Sequence, residues 1–237
     1  MIWLNFYLPL YLVLYMMVAF VLPSYRTYKQ TGINPITFGK TDNAHDYIGF
    51  VMKVLIALLF IAVFIYSFSD KAYQYLVPIS YLMKDVFMIV GLILIHLSLL
   101  WISVAQYQMS NSWRIGIDEN NKTELITKGL FSYSRNPIFL GMIISVAGIF
   151  FILPNTLTFF LMLTTYIVIQ IQIRLEEEFL EKNYGHILQL QIFGELERDI
   201  AKVLKDMVFI QWEMWQDVLL VSRGNIIMKI CCTGYLG

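Results

Sequence analysis

Two polar stretches hold the residues whose types and spacing suit chemistry: KGLFSYSRNPIFLG from Lys128 to Gly141, and RLEEEFLEKNYG from Arg174 to Gly185. In the first, Gly129 permits a tight turn or a close backbone approach. Pro137 drives Asn136 away from helical geometry and suits the first turn of a helix, which makes Asn136 a natural cap. The exposed amides of such a helix start attract an anionic group, and the fork of Arg135 beside them matches a carboxylate. In the second stretch Arg174 and Glu178 share one helix face, while Glu176 points elsewhere and can reach a ligand hydroxyl or amine. Phe131, Tyr133 and Phe139 could stack on a planar ring. Plainer roles fit the same residues: a capped helix with a surface arginine, a solvated acidic helix end and an aromatic headgroup belt.

What must position these stretches is a membrane. The chain has 237 residues, 58% hydrophobic and 14% charged, with a mean hydropathy of +0.65. A soluble domain carries roughly a quarter charged residues. Five runs approach the ~20 residues needed to cross a bilayer: Phe6 to Leu22, stopped by Pro23; Tyr47 to Phe68; Val86 to Tyr107; Ile138 to Leu153; and Leu157 to Ile173. The last two are joined only by Pro154, Asn155 and Thr156, and Pro137 to Ile173 holds no charged side chain. The two polar stretches therefore leave a tight helical hairpin on the same side of the membrane.

Lysine and arginine gather between the first and second runs (Arg26, Lys29, Lys40) and between the third and fourth (Arg114, Lys122, Lys128, Arg135). By the positive-inside preference this sets the amino terminus outside, and the carboxyl terminus and both polar stretches in the cytoplasm. The first run lacks a basic flank and a small-residue cleavage site, so it reads as an anchor helix. The 17 basic and 17 acidic residues cancel, which gives no electrostatic case for nucleic acid. Adjacent Cys231 and Cys232 and the scattered His45, His96 and His186 have no metal-ligand spacing, so no metal is expected. Few internal charges and no repeat argue against a transporter. From Leu196 onward apolar residues recur at helical spacing, with Glu195, Arg198, Asp199, Lys202, Lys205 and Asp206 on the other face. That reads as an amphipathic helix packed on the bundle or lying on the membrane surface.

At its polar stretches the chain resembles the isoprenylcysteine carboxyl methyltransferase family and its bacterial and phospholipid-methylating relatives. The family pattern is a glycine, an aromatic, Arg-His-Pro or Arg-Asn-Pro, an aromatic and a glycine. A hairpin follows, then Arg-x-Glu-Glu-x-x-Leu-x-x-x-Phe/Tyr-Gly. Here the first reads Gly129, Phe131, Arg135, Asn136, Pro137, Phe139, Leu140 and Gly141; the second reads Arg174, Glu176, Glu177, Leu180, Tyr184 and Gly185. The likeness runs from about Ser112 to Gly185. After Gly185 the chain departs from it, because two positions that relatives give to tyrosine read Leu188 and Gln191.

The resemblance implies S-adenosylmethionine as methyl donor, lined by Glu124, Leu125, Ile126, Phe131, Asn136, Pro137, Ile138 and Phe139, with Glu176 binding a polar end. It assigns Arg174 and Arg135 to steering the acceptor or the cofactor carboxylate. The implied activity is carboxyl methylation of an isoprenylcysteine or similar lipid-like, prenylated acceptor. The alternatives are a phospholipid amine or small-thiol methyltransferase, or a non-catalytic membrane protein keeping the fold. The expected architecture is all-α: an integral bundle of about five transmembrane helices with a cytoplasmic cofactor pocket (residues 1–187, motif core 112–185) and an amphipathic tail (188–237).

Overall fold

The computed structural model describes residues 2–35, 44–110, 113, 115, 126, 128–134 and 136–184, with side chains as far as 178. All of them lie in the first of two units, Met1–Gly194 and Glu195–Gly237. The 187/188 boundary and the amphipathic tail fall outside the described residues. Those that are described are helical or in short connections: α1 (Ile2–Met16), α2 (Leu22–Thr31), α3 (Ala44–Phe68), α4 (Asp70–Gln74), α5 (Asp85–Met109), α6 (Pro137–Ile152) and α7 (Thr156–Tyr184). Four helical stretches are long and apolar enough to cross a membrane: Trp3–Thr31, Ala44–Phe68, Asp85–Met109 and Thr156–Glu178. The fifth expected span, α6, has 16 residues, about 24 Å of rise, and is sheathed by its neighbours. Leu10, Phe6, Leu97, Leu100, Phe160 and Ile167 stay exposed, an outer surface suited to lipid rather than water.

Pro23 does not stop the first helix. Ala19 O would receive its α-helical bond from residue 23, and proline has no N–H to give. The chain instead widens into a π turn over Met17–Val21, where Leu22 N bonds Met17 O, and continues as α2. Gln106 Nε2 of α5 donates to Ala19 O, and Ser24 Oγ donates to Phe20 O at 2.6 Å. In a bilayer every backbone group needs a protein partner. These side chains supply it, so the helix passes its proline.

Lipid tails are as apolar as leucine, so helices in a membrane associate through close packing and hydrogen bonds. The α5–α6 pair shows both. A Cβ on Gly91 would meet Gly148 O at 2.6 Å, and one on Gly141 would run into Ile102 Cγ1. Between these close approaches Ser98 Oγ and Ser145 Oγ lie 2.6 Å apart. Leu4, Leu8, Tyr11, Leu12, Val63, Ile95, Ile149, Ile152 and Leu153 tie α1, α3, α5 and α6 together. On α1, Tyr11 Oη donates to Ile95 O at 2.6 Å and Tyr7 Oη bonds His96 Nε2. His96 Nδ1 donates to Leu92 O at 2.7 Å, which leaves Nε2 to accept from Tyr7.

The hairpin turn is as short as expected. Asn155 caps α7, its Oδ1 accepting from Thr158 N at 3.0 Å, while Thr158 Oγ1 donates to Leu153 O at 2.6 Å. Ile79 N donates to Pro154 O at 2.8 Å and pins the turn to the loop after α4. With one end so fixed, α6 and α7 cannot diverge before Asn136 and Glu176 at the other.

Candidate functional site

The approach to α6 is set by a glycine, a glutamine and a tryptophan. Gly129 has φ +67°, and a Cβ there would fall 2.5 Å from Gln108 Oε1. Both reasons for a glycine, the left-handed backbone and the close approach, hold at this position. Gln108 Oε1 accepts from Leu130 N at 2.8 Å, and the chain makes a 3₁₀ turn over Gly129–Ser132 that buries Phe131. Pro137 then opens α6, and Trp101 Nε1 of α5 donates to its carbonyl at 2.9 Å.

Asn136 stands at the cap position but does not cap with its side chain. Its Nδ2 donates instead to Glu176 Oε2 at 2.8 Å. The charged partner explains the departure: a hydrogen bond to a carboxylate is roughly twice as strong as one between neutral groups. The first-turn amides of Ile138 and Phe139 are thereby left without that side chain over them. They keep their capacity for an anion.

Glu176 is held from its other side as well. Gln172 Nε2, one turn earlier on α7, donates to Glu176 Oε1 at 2.8 Å and lies 3.2 Å from His45 Nδ1 at the start of α3. Three helices thus meet in one chain of polar groups, His45–Gln172–Glu176–Asn136. Gln172 and His45 were not among the expected site residues. The readable signal was a glutamine four residues before Glu176 inside an apolar span, where polar side chains are costly and have partners.

The other expected residues are distributed unevenly. Ile126, Ile138 and Phe139 are half-buried, and Pro137 is buried with Phe131. Arg174 and Glu178 are exposed, and two residues of helix rotation set Arg174 well away from Glu176. Glu124, Leu125 and Arg135 lie outside the described residues, as do Leu188 and Gln191.

Beyond the polar chain, a partly open apolar cavity lies between α1, the π turn, α3, α6 and α7. Tyr15, Phe20, Leu55, Leu59, Val146 and Ile149 are among its walls, with only Tyr11, Tyr15, Ser145 and Thr165 bringing hydroxyls. Met142 on its rim follows Asn136 along α6 by about 9 Å of helix rise. The polar chain thus lies nearly two helical turns from the cavity along α6.

Residues 86–187 match the phospholipid methyltransferase family, PEMT. The match takes in α5 from its second residue, all of α6 and α7, and every member of the polar chain except His45. No curated protein and no solved structure matches the chain.

Proposed function

We propose, from the match of residues 86–187 to the phospholipid methyltransferase family, that this multi-pass protein moves a methyl group from S-adenosylmethionine to a lipid-like acceptor. The acceptor we favour is the carboxylate of an isoprenylcysteine or a similar prenylated molecule. The single observation that carries the reading is the hydrogen bond from Asn136 to Glu176, which joins the two motifs across the hairpin.

The residues present fit the methyl donor. Glu176 offers acceptors to a hydroxyl or amine, the first turn of α6 offers amides to a carboxylate, and Phe131 and Phe139 offer aromatic surface. S-adenosylmethionine supplies a methyl group activated on a sulfonium. A carboxylate acceptor is already ionised, so no general base is needed and the protein's task is alignment. Glu176, immobilised by Asn136 and Gln172, fixes the polar end of the donor. The apolar chamber receives the acceptor's hydrocarbon and keeps water from the reacting atoms. Arg174 and Arg135 steer the acceptor or the cofactor carboxylate.

A second reading, methylation of a phospholipid amine, is favoured by the description of the matching family. An amine must shed a proton before it attacks, so the two readings differ in chemistry. Purified protein in liposomes, given methyl-labelled S-adenosylmethionine and either a farnesylcysteine or phosphatidylethanolamine, separates them. Label in a base-labile methyl ester supports the first, and label in the lipid headgroup supports the second. No transfer to either, with the donor bound, overturns both. The lysine and arginine distribution supports a cytoplasmic side for the site.

A further inference from the structure

The proposed reaction leaves half of one buried side chain unused. Gln172 lies in the apolar body of α7, 4% exposed. Its amide nitrogen faces the Glu176 carboxylate, which can only accept, so the carboxamide orientation is determined by its partner. Oε1 is thereby left out of the bond to Glu176. That oxygen is buried and has no hydrogen-bond partner among the described residues. Buried side-chain carbonyls nearly always have one, and an exception calls for an explanation such as a missing ligand.

We propose that Gln172 Oε1 accepts a hydrogen bond from the ammonium group of the bound methyl donor, so that Gln172 and Glu176 together form a cradle for an α-amino-acid end. The inference rests on the donor assigned above. The chemistry of the group narrows the choice. Gln172 Oε1 and Glu176 present acceptors only, on adjacent turns of one helix. An ammonium brings three donors and can satisfy both at once, whereas a ribose hydroxyl brings a single proton that Glu176 alone would take. The α-carboxylate of the same end then falls to the amides of the first turn of α6, next to Asn136.

The test uses the full-length protein in detergent and two probes. S-adenosylhomocysteine carries the amino-acid end, and 5′-methylthioadenosine lacks it but keeps ribose and adenine. Gln172→Met removes the carboxamide at nearly constant volume. It should weaken S-adenosylhomocysteine by about tenfold, the scale of one hydrogen bond to a charged group, and leave 5′-methylthioadenosine within twofold. The same loss should persist in a Glu176→Gln background, because Oε1 acts on the ligand directly. Should Gln172→Met not fold, Gln172→Asn, which draws the group back by one methylene, is expected to give the same pattern. Unchanged S-adenosylhomocysteine affinity, a parallel loss of 5′-methylthioadenosine, or disappearance of the effect in the Glu176→Gln background each overturns the inference. Failure of folded wild-type protein to bind S-adenosylhomocysteine overturns the proposed function instead.

Discussion

Asn136 Nδ2 and Glu176 Oε2 are 2.8 Å apart, forty residues distant in sequence and on opposite arms of a hairpin. The bond restricts position 136 to a side chain that can donate. Asn136→His retains an N–H that can meet the carboxylate, and its affinity for S-adenosylhomocysteine should stay within about threefold of the parent. Asn136→Asp sets two carboxylates face to face, which costs several kilocalories or forces a proton onto one of them. Calorimetric titration should then show binding weakened by more than about tenfold. Equal affinities for the two variants would remove the hydrogen bond from the site's working parts.

Pro23 and Gln106 act on one carbonyl, that of Ala19. Gln106→Leu strands Ala19 O inside the bundle and should lower stability by about 1–3 kcal/mol. Adding Pro23→Ala supplies an N–H at the α-helical position, so the double variant should regain most of the loss. Thermal unfolding of the three variants in detergent reads this. Additive losses in the double variant would mean that the proline is not what the glutamine compensates.

These two cases mark where the sequence was legible. The charge-free run with its three-residue tip shows the α6–α7 hairpin, because a connection so short leaves the helices no other path. Four of the spans follow from hydropathy in the same way. The passage through Pro23 does not, since the partner that makes it possible, Gln106, lies on another helix. The motif residues Asn136 and Glu176 were readable, yet Asn136 was expected to cap. Local preference favours the cap, and only the folded hairpin brings a carboxylate near enough to win. Gln172 carried a local signal, a polar side chain inside an apolar span, whereas His45 stayed hidden because its meaning lies in a contact between α3 and α7 that no local pattern encodes.

Gly91 and Gly32 make a matched pair for testing the α5–α6 contact. At Gly91 an added Cβ meets the backbone oxygen of Gly148 at 2.6 Å, and backbone cannot swing aside. Gly91→Ala should therefore cost about 1–3 kcal/mol through overpacking. Gly32 ends α2 at φ +70° with nothing within 4 Å of the added carbon. Gly32→Ala pays only the left-handed backbone, about 1 kcal/mol. If urea or thermal unfolding ranks Gly32→Ala as the worse of the two, close packing of α5 on α6 is not what holds the bundle.

The apolar chamber offers the cleanest separation of acceptor from donor. Val146 lines it from α6, away from the polar chain of His45, Gln172, Glu176 and Asn136. Val146→Phe puts a ring into space that the proposal gives to the acceptor's hydrocarbon. KM for a farnesylated acceptor should rise severalfold, while S-adenosylhomocysteine affinity stays at the parent value, because no donor-binding group moves. A shorter acceptor, with geranyl in place of farnesyl, should be penalised less by the same substitution, since it reaches less far into the chamber. That interaction between side-chain size and chain length is the decisive readout. A bulky residue that merely disturbed the fold would weaken both acceptors and the donor alike.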